Sequence, residues 1–475
     1  MKIMIDHWGP IEHCEYDLEK SLIITYGENN IGKSYAMQLI YLLLKHMIWI
    51  SKDTLKTGGR YILRPGLRLS HRAIQSMVME FQAAQSEKER DVTKEILELF
   101  SQGITQTIIP EFEKSLQNTF GTYSLLLEQK PKVLIDFGGG DSILFDLKER
   151  NATVKWKLKP VFLKRSNSDF HKSRELKNHY DIFLFENHIE TPIEKVGERV
   201  KILNREFAYR VLSEVNAVYF LPASRSGIYA GISSFSSIFA ELAKNRSLIR
   251  GSIQIPALSE PISDYFEGLS TIRFRRGYCY EAATEIEHDI LKGQVAFDKK
   301  NKNIMYISDE TGVAMEMRDV SSMVSEISPI TAYLKYIVGD TGLNYSIRRA
   351  EQFDEEQSSS VIFIEEPEAH LHPINQVKLI KIFVKLAKNN VKMIMSSHSN
   401  YIFNQLNNLI LGGELSQDIY EPVLMRQING VTNTEIMKTD ELGTDDDNFS
   451  DIANQLYEER EELILKYMER ENTEE

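Results

Sequence analysis

The stretch Ser21 to Ser34, SLIITYGENNIGKS, has the residue types and spacing of a phosphate-binding loop. An apolar run, Leu22-Ile23-Ile24, ends in Gly27, and Gly32-Lys33-Ser34 follows at the spacing G-x-x-x-x-G-K-S. Gly27 and Gly32 permit backbone conformations and a close approach that a Cβ would block. The backbone of Gly27, Glu28, Asn29, Asn30, Ile31 and Gly32 then forms an anion nest at a helix N-terminus. In that arrangement Lys33 reaches the β- and γ-phosphates of a nucleotide and the Ser34 hydroxyl ligates Mg2+.

A second set of chemical groups lies more than three hundred residues downstream. VIFI (361–364) is a short apolar strand that ends in Glu365-Glu366, and ligands of open α/β sheets bind at the carboxyl ends of strands. A hydrolytic site needs one acid for the metal and one to orient water, roles that suit Glu365 and Glu366 respectively. The competing reading is a solvated, acid-rich strand end. His398, in SSHS after the strand KMIM (392–395), is placed either to sense a γ-phosphate as neutral imidazole or to serve as a structural hydrogen-bonding group. His370 and His372 invite a zinc reading, but alternate residues of a strand face opposite ways and no cysteine lies nearby.

The elements that must position these groups follow from periodicity. Ala36, Met37, Leu39, Ile40, Leu42 and Leu43 read as a buried helix behind the loop. VIFI, a helical stripe (Ile374, Val377, Ile380, Phe383, Leu386) and KMIM make a βαβ unit and hence a parallel sheet. AVYFL (217–221) reads as a further central strand. VLIDF and SILFDL, joined through Gly138 to Gly140, read as a β-hairpin, and Val154, Trp156 and Leu158 alternate like another strand. Ile74, Met77, Val78 and Phe81 keep helical spacing, Phe112, Leu116 and Phe120 continue it after Pro110, and short strands (IMYIS, VAMEM) follow Asn303. The layout predicted is residues 1–50 as the N-terminal part of a head, 51–215 as an insertion of helices and a hairpin, 216–300 as a head strand with a helical connection, 301–440 as the C-terminal part of the head, and 441–475 as an acidic helical tail.

The chain has 475 residues, 42% hydrophobic and 26% charged, as in an ordinary folded protein with ample core. A net charge of -13 gives no global attraction to nucleic acid or anionic lipid, although Lys52 to Arg72 and Lys155 to Lys177 are locally basic. Two distant cysteines, Cys14 and Cys279, exclude a disulfide framework and fit the cytoplasm. The N-terminus lacks the apolar core of a signal peptide, and the run Leu39 to Ile50 is too short for a bilayer, so no membrane association is expected.

Taken in order, GENNIGKS, VSSMVSE, VIFIEEPEAHLHP and IMSSHS resemble the ABC-type ATPase head of the SMC/RecF/OLD-like AAA family group, and HWGPIEHCEYDL is similar to that group's opening strands. The resemblance covers the two ends of the chain. It implies an α/β fold, an ABC-type P-loop ATPase head with a mixed β-sheet and a large, mainly helical insertion, using ATP and Mg2+. It also implies a composite site in which one protomer supplies Gly27 to Ser34, Glu365, Glu366 and His398, while Ser322 of a second copy contacts the γ-phosphate. Met323 stands where the family has glycine, and the segment also reads as a serine cap region before a helix from Pro329. The loop PASRSG (222–227) is similar to one in ATPases of this group, so Arg225 reaches a phosphate or a partner acid, or else makes a surface salt bridge. No strand-borne acid cluster of the TOPRIM nuclease kind follows Tyr401. Stand-alone ATPases of this size imply a homo-oligomer that controls a separate nuclease or toxin in anti-phage defence, of the Septu or PARIS kind. The alternatives are a RecF/SMC-like ATPase that binds DNA through its basic stretches, and a slow nucleotide-switched scaffold that sequesters a partner.

Overall fold

The computed structural model describes residues 1–56, 68–165, 174–184, 190–231, 258–272, 276–300, 302–339, 359–446 and 448–474. Their main feature is one mixed sheet of eleven strands: β1 (Lys2–Trp8), β2 (Ile11–Asp17), β3 (Leu22–Tyr26), β4 (Lys132–Gly138), β5 (Asp141–Asp146), β6 (Asn151–Lys155), β7 (Val215–Leu221), β8 (Ser359–Glu365), β9 (Lys392–Ser396), β10 (Tyr420–Ile428) and β11 (Val431–Ile436). The spatial order is β7-β8-β9-β3-β10-β11-β2-β1-β4-β5-β6. The run from β7 to β10 is wholly parallel. The sheet turns antiparallel at β10/β11, parallel again at β11/β2, and antiparallel through β2, β1, β4, β5 and β6.

The parallel half is apolar on both faces, which is why VIFI shows no polar alternation. Ile23, Val361, Phe363 and Ile394 enter one core, and Leu22, Ile24, Ile362, Ile364, Met393 and Met395 enter the other. Over the first face lie α1 (Lys33–Lys56), α2 (Arg68–Ala83), α3 (Thr93–Thr119) and α4 (Glu190–Glu214). On the second side lie α5 (Glu260–Ser270), α6 (Ser322–Ala332), α7 (Pro373–Lys388) and α8 (Asn400–Leu411). A final helix, α9 (Ser450–Glu474), closes the chain. Among the described residues, no helix is long and apolar enough to cross a membrane.

Several expectations need correction. The hairpin β4–β5 and strand β6 were assigned to an insertion spanning 51–215, yet β4 pairs with β1 (Ile3 opposite Ile135), so the hairpin extends the head sheet. Alternation fixes which residues face a core, not which sheet edge the strand joins. The boundary at 300 also fails, because the strand Gly293–Asp298 pairs antiparallel with Asn303–Ser308. Helix α3 runs through Pro110. On α7 the buried stripe starts at Leu379, while Ile374 in the first turn is exposed. The basic residues Arg60 and Arg64, and the part of the second basic stretch at 166–173, lie outside the described residues.

Candidate functional site

The phosphate loop joins the end of β3 to the start of α1. Gly27 has φ 131°, and a Cβ there would sit 2.4 Å from the carbonyl oxygen of Met425 on β10. Gly32 has φ 108°, with Pro10 Cγ 2.9 Å from where its Cβ would be. Both positions therefore require glycine. Helix α1 has no acid in its first turn, so the positive end of its dipole faces the loop undiminished. Lys33 is buried, and its Nζ donates to the carbonyls of Gly27 (2.9 Å) and Glu28 (2.5 Å). Burial lowers the Lys33 pKa to about 8, against the opposing pull of Glu366, Glu368 and Glu28.

Parallel register brings the acids to this loop. Glu365 on β8 stands opposite Ser396 on β9, and Ser396 stands opposite Thr25 on β3. Glu365 is buried, and its Oε2 accepts the Ala223 N–H at 3.1 Å. Burial pushes its carboxyl pKa up, while the adjoining Ser34 hydroxyl and the Ala223 N–H pull it down. Glu366 sits just past the strand in a left-handed conformation (φ 44°), held by its N–H bond to the Ser396 carbonyl at 3.1 Å. That turn directs it into the same electrostatic neighbourhood as Lys33 and His398. Burial, and then the Lys33 charge, lowers the His398 pKa, so its imidazole is neutral at pH 7. Lys33, Glu366 and His398, distant in sequence, thus form one cluster.

Sequence reasoning passed over Glu368. Its Oε1 accepts the Ser397 hydroxyl (2.9 Å) and the His398 N–H (2.6 Å), tying the acid turn to the histidine loop. Burial raises its pKa as well. The available signal was a third acid in E-E-P-E, three residues beyond Glu365. His372 is the N-cap of α7, its Nδ1 accepting from the Ile374 N–H at 3.4 Å, and His370 is exposed.

Arg225 contradicts the expectation of a phosphate contact or surface salt bridge. It is fully buried, and its Nη1 donates to the carbonyls of Pro222 (3.0 Å) and Glu365 (2.7 Å), its Nη2 to that of Glu366 (3.1 Å) and its Nε to that of Glu326 (3.2 Å). Its Nε also lies 3.4 Å from Glu326 Oε2. Wholly buried, with its fork directed at four carbonyls and a carboxylate of its own chain, Arg225 is internal to the fold. The helix expected from Pro329 begins at Ser322 instead, with Ser321 as N-cap and Pro329 inside. Ser322 is exposed at that N-terminus, and Asn375 Nδ2 approaches Met323 Sδ at 3.3 Å.

Two buried carboxylate oxygens, Glu365 Oε1 and Glu368 Oε2, have no hydrogen-bond partner among the described residues. Hard oxygen donors beside a lysine and a helix N-terminus fit a magnesium-bound triphosphate. A glycine-bounded loop between β3 and α1, with acids on the next-but-one parallel strand, defines a P-loop ATPase head. The AAA ATPase domain family matches residues 341–403, a stretch that contains Glu365, Glu366 and His398. No curated protein matches the chain. Solved structures similar to it include an SMC head bound to the C-terminal winged-helix domain of ScpA, at 9% identity over 92% of this chain and 97% of that one, TM-score 0.34. An Smc head with an extended coiled coil, bound to the C-terminal domain of ScpA from Pyrococcus furiosus, is 9% identical over 97% and 98%, TM-score 0.33. The SMC head from Thermotoga maritima is 8% identical over 92% and 98%, TM-score 0.32.

Proposed function

We propose that this chain binds and hydrolyses ATP with Mg2+, assembles with further copies of itself through that nucleotide, and thereby controls a separate effector. The observation that carries the reading is the gathering of Lys33, Glu366 and His398 at the carboxyl ends of parallel strands. Lys33 leaves the loop carbonyls for the β- and γ-phosphates, and the loop N–H groups receive the rest of the charge. Ser34 and Glu365 hold the metal, which when bound neutralises phosphate charge. Glu366 accepts the proton of the attacking water, and neutral His398 donates toward the γ-phosphate. Ser322 completes the site of a second copy, for which its exposed place at the start of α6 is suited. Control of a nuclease or toxin in anti-phage defence rests on the motif resemblance.

Glu366→Gln should still bind ATP while losing about 10²-fold or more in turnover, as for a lost general base. Lys33→Ala should lose nucleotide binding itself. Calorimetry with ATP and a phosphate-release assay separate the two effects, and undiminished turnover in Glu366→Gln would remove the reading.

A further inference from the structure

The left-handed backbone at Glu366 has its cause in the loop after β7. A residue other than glycine at φ 44° is strained, and such strain persists only where neighbouring groups over-determine it. Two peptide planes meet at the Glu366 Cα, and both are tied. The plane before it is held at each end: the Glu365 carbonyl accepts from Arg225 Nη1 at 2.7 Å, and the Glu366 N–H donates to the Ser396 carbonyl at 3.1 Å. The plane after it runs into Pro367, which has no N–H, so the Glu366 carbonyl is its sole hydrogen-bonding group. That carbonyl accepts from Arg225 Nη2 and from the Ala369 N–H, both at 3.1 Å. One guanidinium thus grips the chain on both sides of Glu366.

Arg225 is aimed in its turn. Its Nε faces the carbonyl (3.2 Å) and the carboxylate (3.4 Å) of Glu326, while its own carbonyl accepts the Tyr265 hydroxyl at 3.3 Å. Arg225 and Glu326 are both buried, so bulk water does not compete for these bonds. A buried ion pair is a costly way to secure a fold, since apolar side chains of similar volume often serve as well or better. A planar fork that reaches two carbonyls at once is what arginine alone supplies, and a lysine ammonium cannot copy it. Holding both planes fixes the direction in which the Glu366 side chain leaves the backbone, and so its place beside Lys33 and His398.

We propose that Arg225 is a positioning residue for ATP hydrolysis: by locking the backbone on both sides of Glu366 it aims that carboxylate at the attacking water. The proposal rests on the reading of Glu366 as general base, and it gives Arg225 no contact with the nucleotide.

The test compares ATP affinity with turnover per ATP-binding site, taken from phosphate release and the calorimetric stoichiometry of the full chain. Arg225→Lys keeps a cation beside Glu326 but replaces the fork by a single ammonium. Arg225→Gln/Glu326→Gln removes both charges together, so no buried charge is stranded should the lysine variant fail to fold. Each should lose about tenfold or more in turnover per site, as for a misplaced reacting group, with ATP affinity kept within about twofold. In the Glu366→Gln background the same changes should add no further loss, because a residue that acts through Glu366 has nothing left to aim. A purely structural arginine would lower affinity and turnover together and would deepen the Glu366→Gln defect. Either result, or unchanged turnover, would overturn the proposal while leaving the ATPase reading in place. An unaltered protein that binds no ATP would instead sink that reading, and the proposal with it.

Discussion

Lys33 shows how a single side chain is tuned by its surroundings. Its ordinary pKa of 10.5 falls to about 8 because burial disfavours the ammonium form. Between these values the unfolded chain binds more protons than the native one. The cost of the buried charge is therefore present below pH 8 and is relieved as pH rises toward 10.5. A bound phosphate would restore the charge and raise the pKa, so nucleotide affinity should fall as pH rises through 8, by about tenfold per unit at the steepest. Titrating a non-hydrolysable ATP analogue at pH 7.5, 8.5 and 9.5 checks this. A flat profile for the unaltered protein would separate Lys33 from the phosphates. Lys33, Ser34, Glu365 and Glu366 were legible because their spacing along the chain is itself the signal. Glu368 was not, since a carboxylate that clamps the His398 loop looks in sequence like any acid in a turn.

At the scale of elements, the loop after β7 acts as a clamp. Arg225 fastens the acid-bearing end of β8 to α6 through the Glu326 carboxylate, which also accepts the Ser226 N–H (3.1 Å) and hydroxyl (2.5 Å). Arg225→Met would leave Glu326 buried without its cation and should cost about 3–5 kcal/mol in denaturant unfolding. Glu326→Gln keeps acceptors for Ser226 and should cost clearly less. Equal losses from the two changes would show that the charge pair both of them break, rather than the Arg225 bonds to carbonyls that Glu326→Gln keeps, holds the clamp. The strand β10 went unread although it lies directly beside β3, with Tyr420 opposite Leu22. Its opening, YEPVLM, holds a proline and a buried glutamate, both unusual in a central strand. Glu421 is tolerated because it accepts the Asp17 N–H at 3.3 Å, while burial pushes its carboxyl pKa up to about 7.

Across the whole molecule, the phosphate loop near the N-terminus and the acids past residue 360 come together because β3, β9 and β8 are neighbours in a parallel sheet. Ser322 stands apart on the surface at the start of α6, which makes assembly the testable property at this scale. With Glu366→Gln slowing turnover, ATP should drive a dimer or larger oligomer visible by sedimentation. Adding Ser322→Arg should abolish that assembly while leaving ATP binding intact, and unimpaired assembly would exclude α6 from the interface. The sequence by itself determined the loop, the acid pair and the βαβ unit around them, since each rests on local spacing and a two-sided apolar run. Tertiary structure alone decided that β4–β6 extend the head sheet, that β10 flanks β3 and that Arg225 is internal. Those outcomes depend on which edges pair and what lies opposite a side chain, and neither is written in any local stretch of residues.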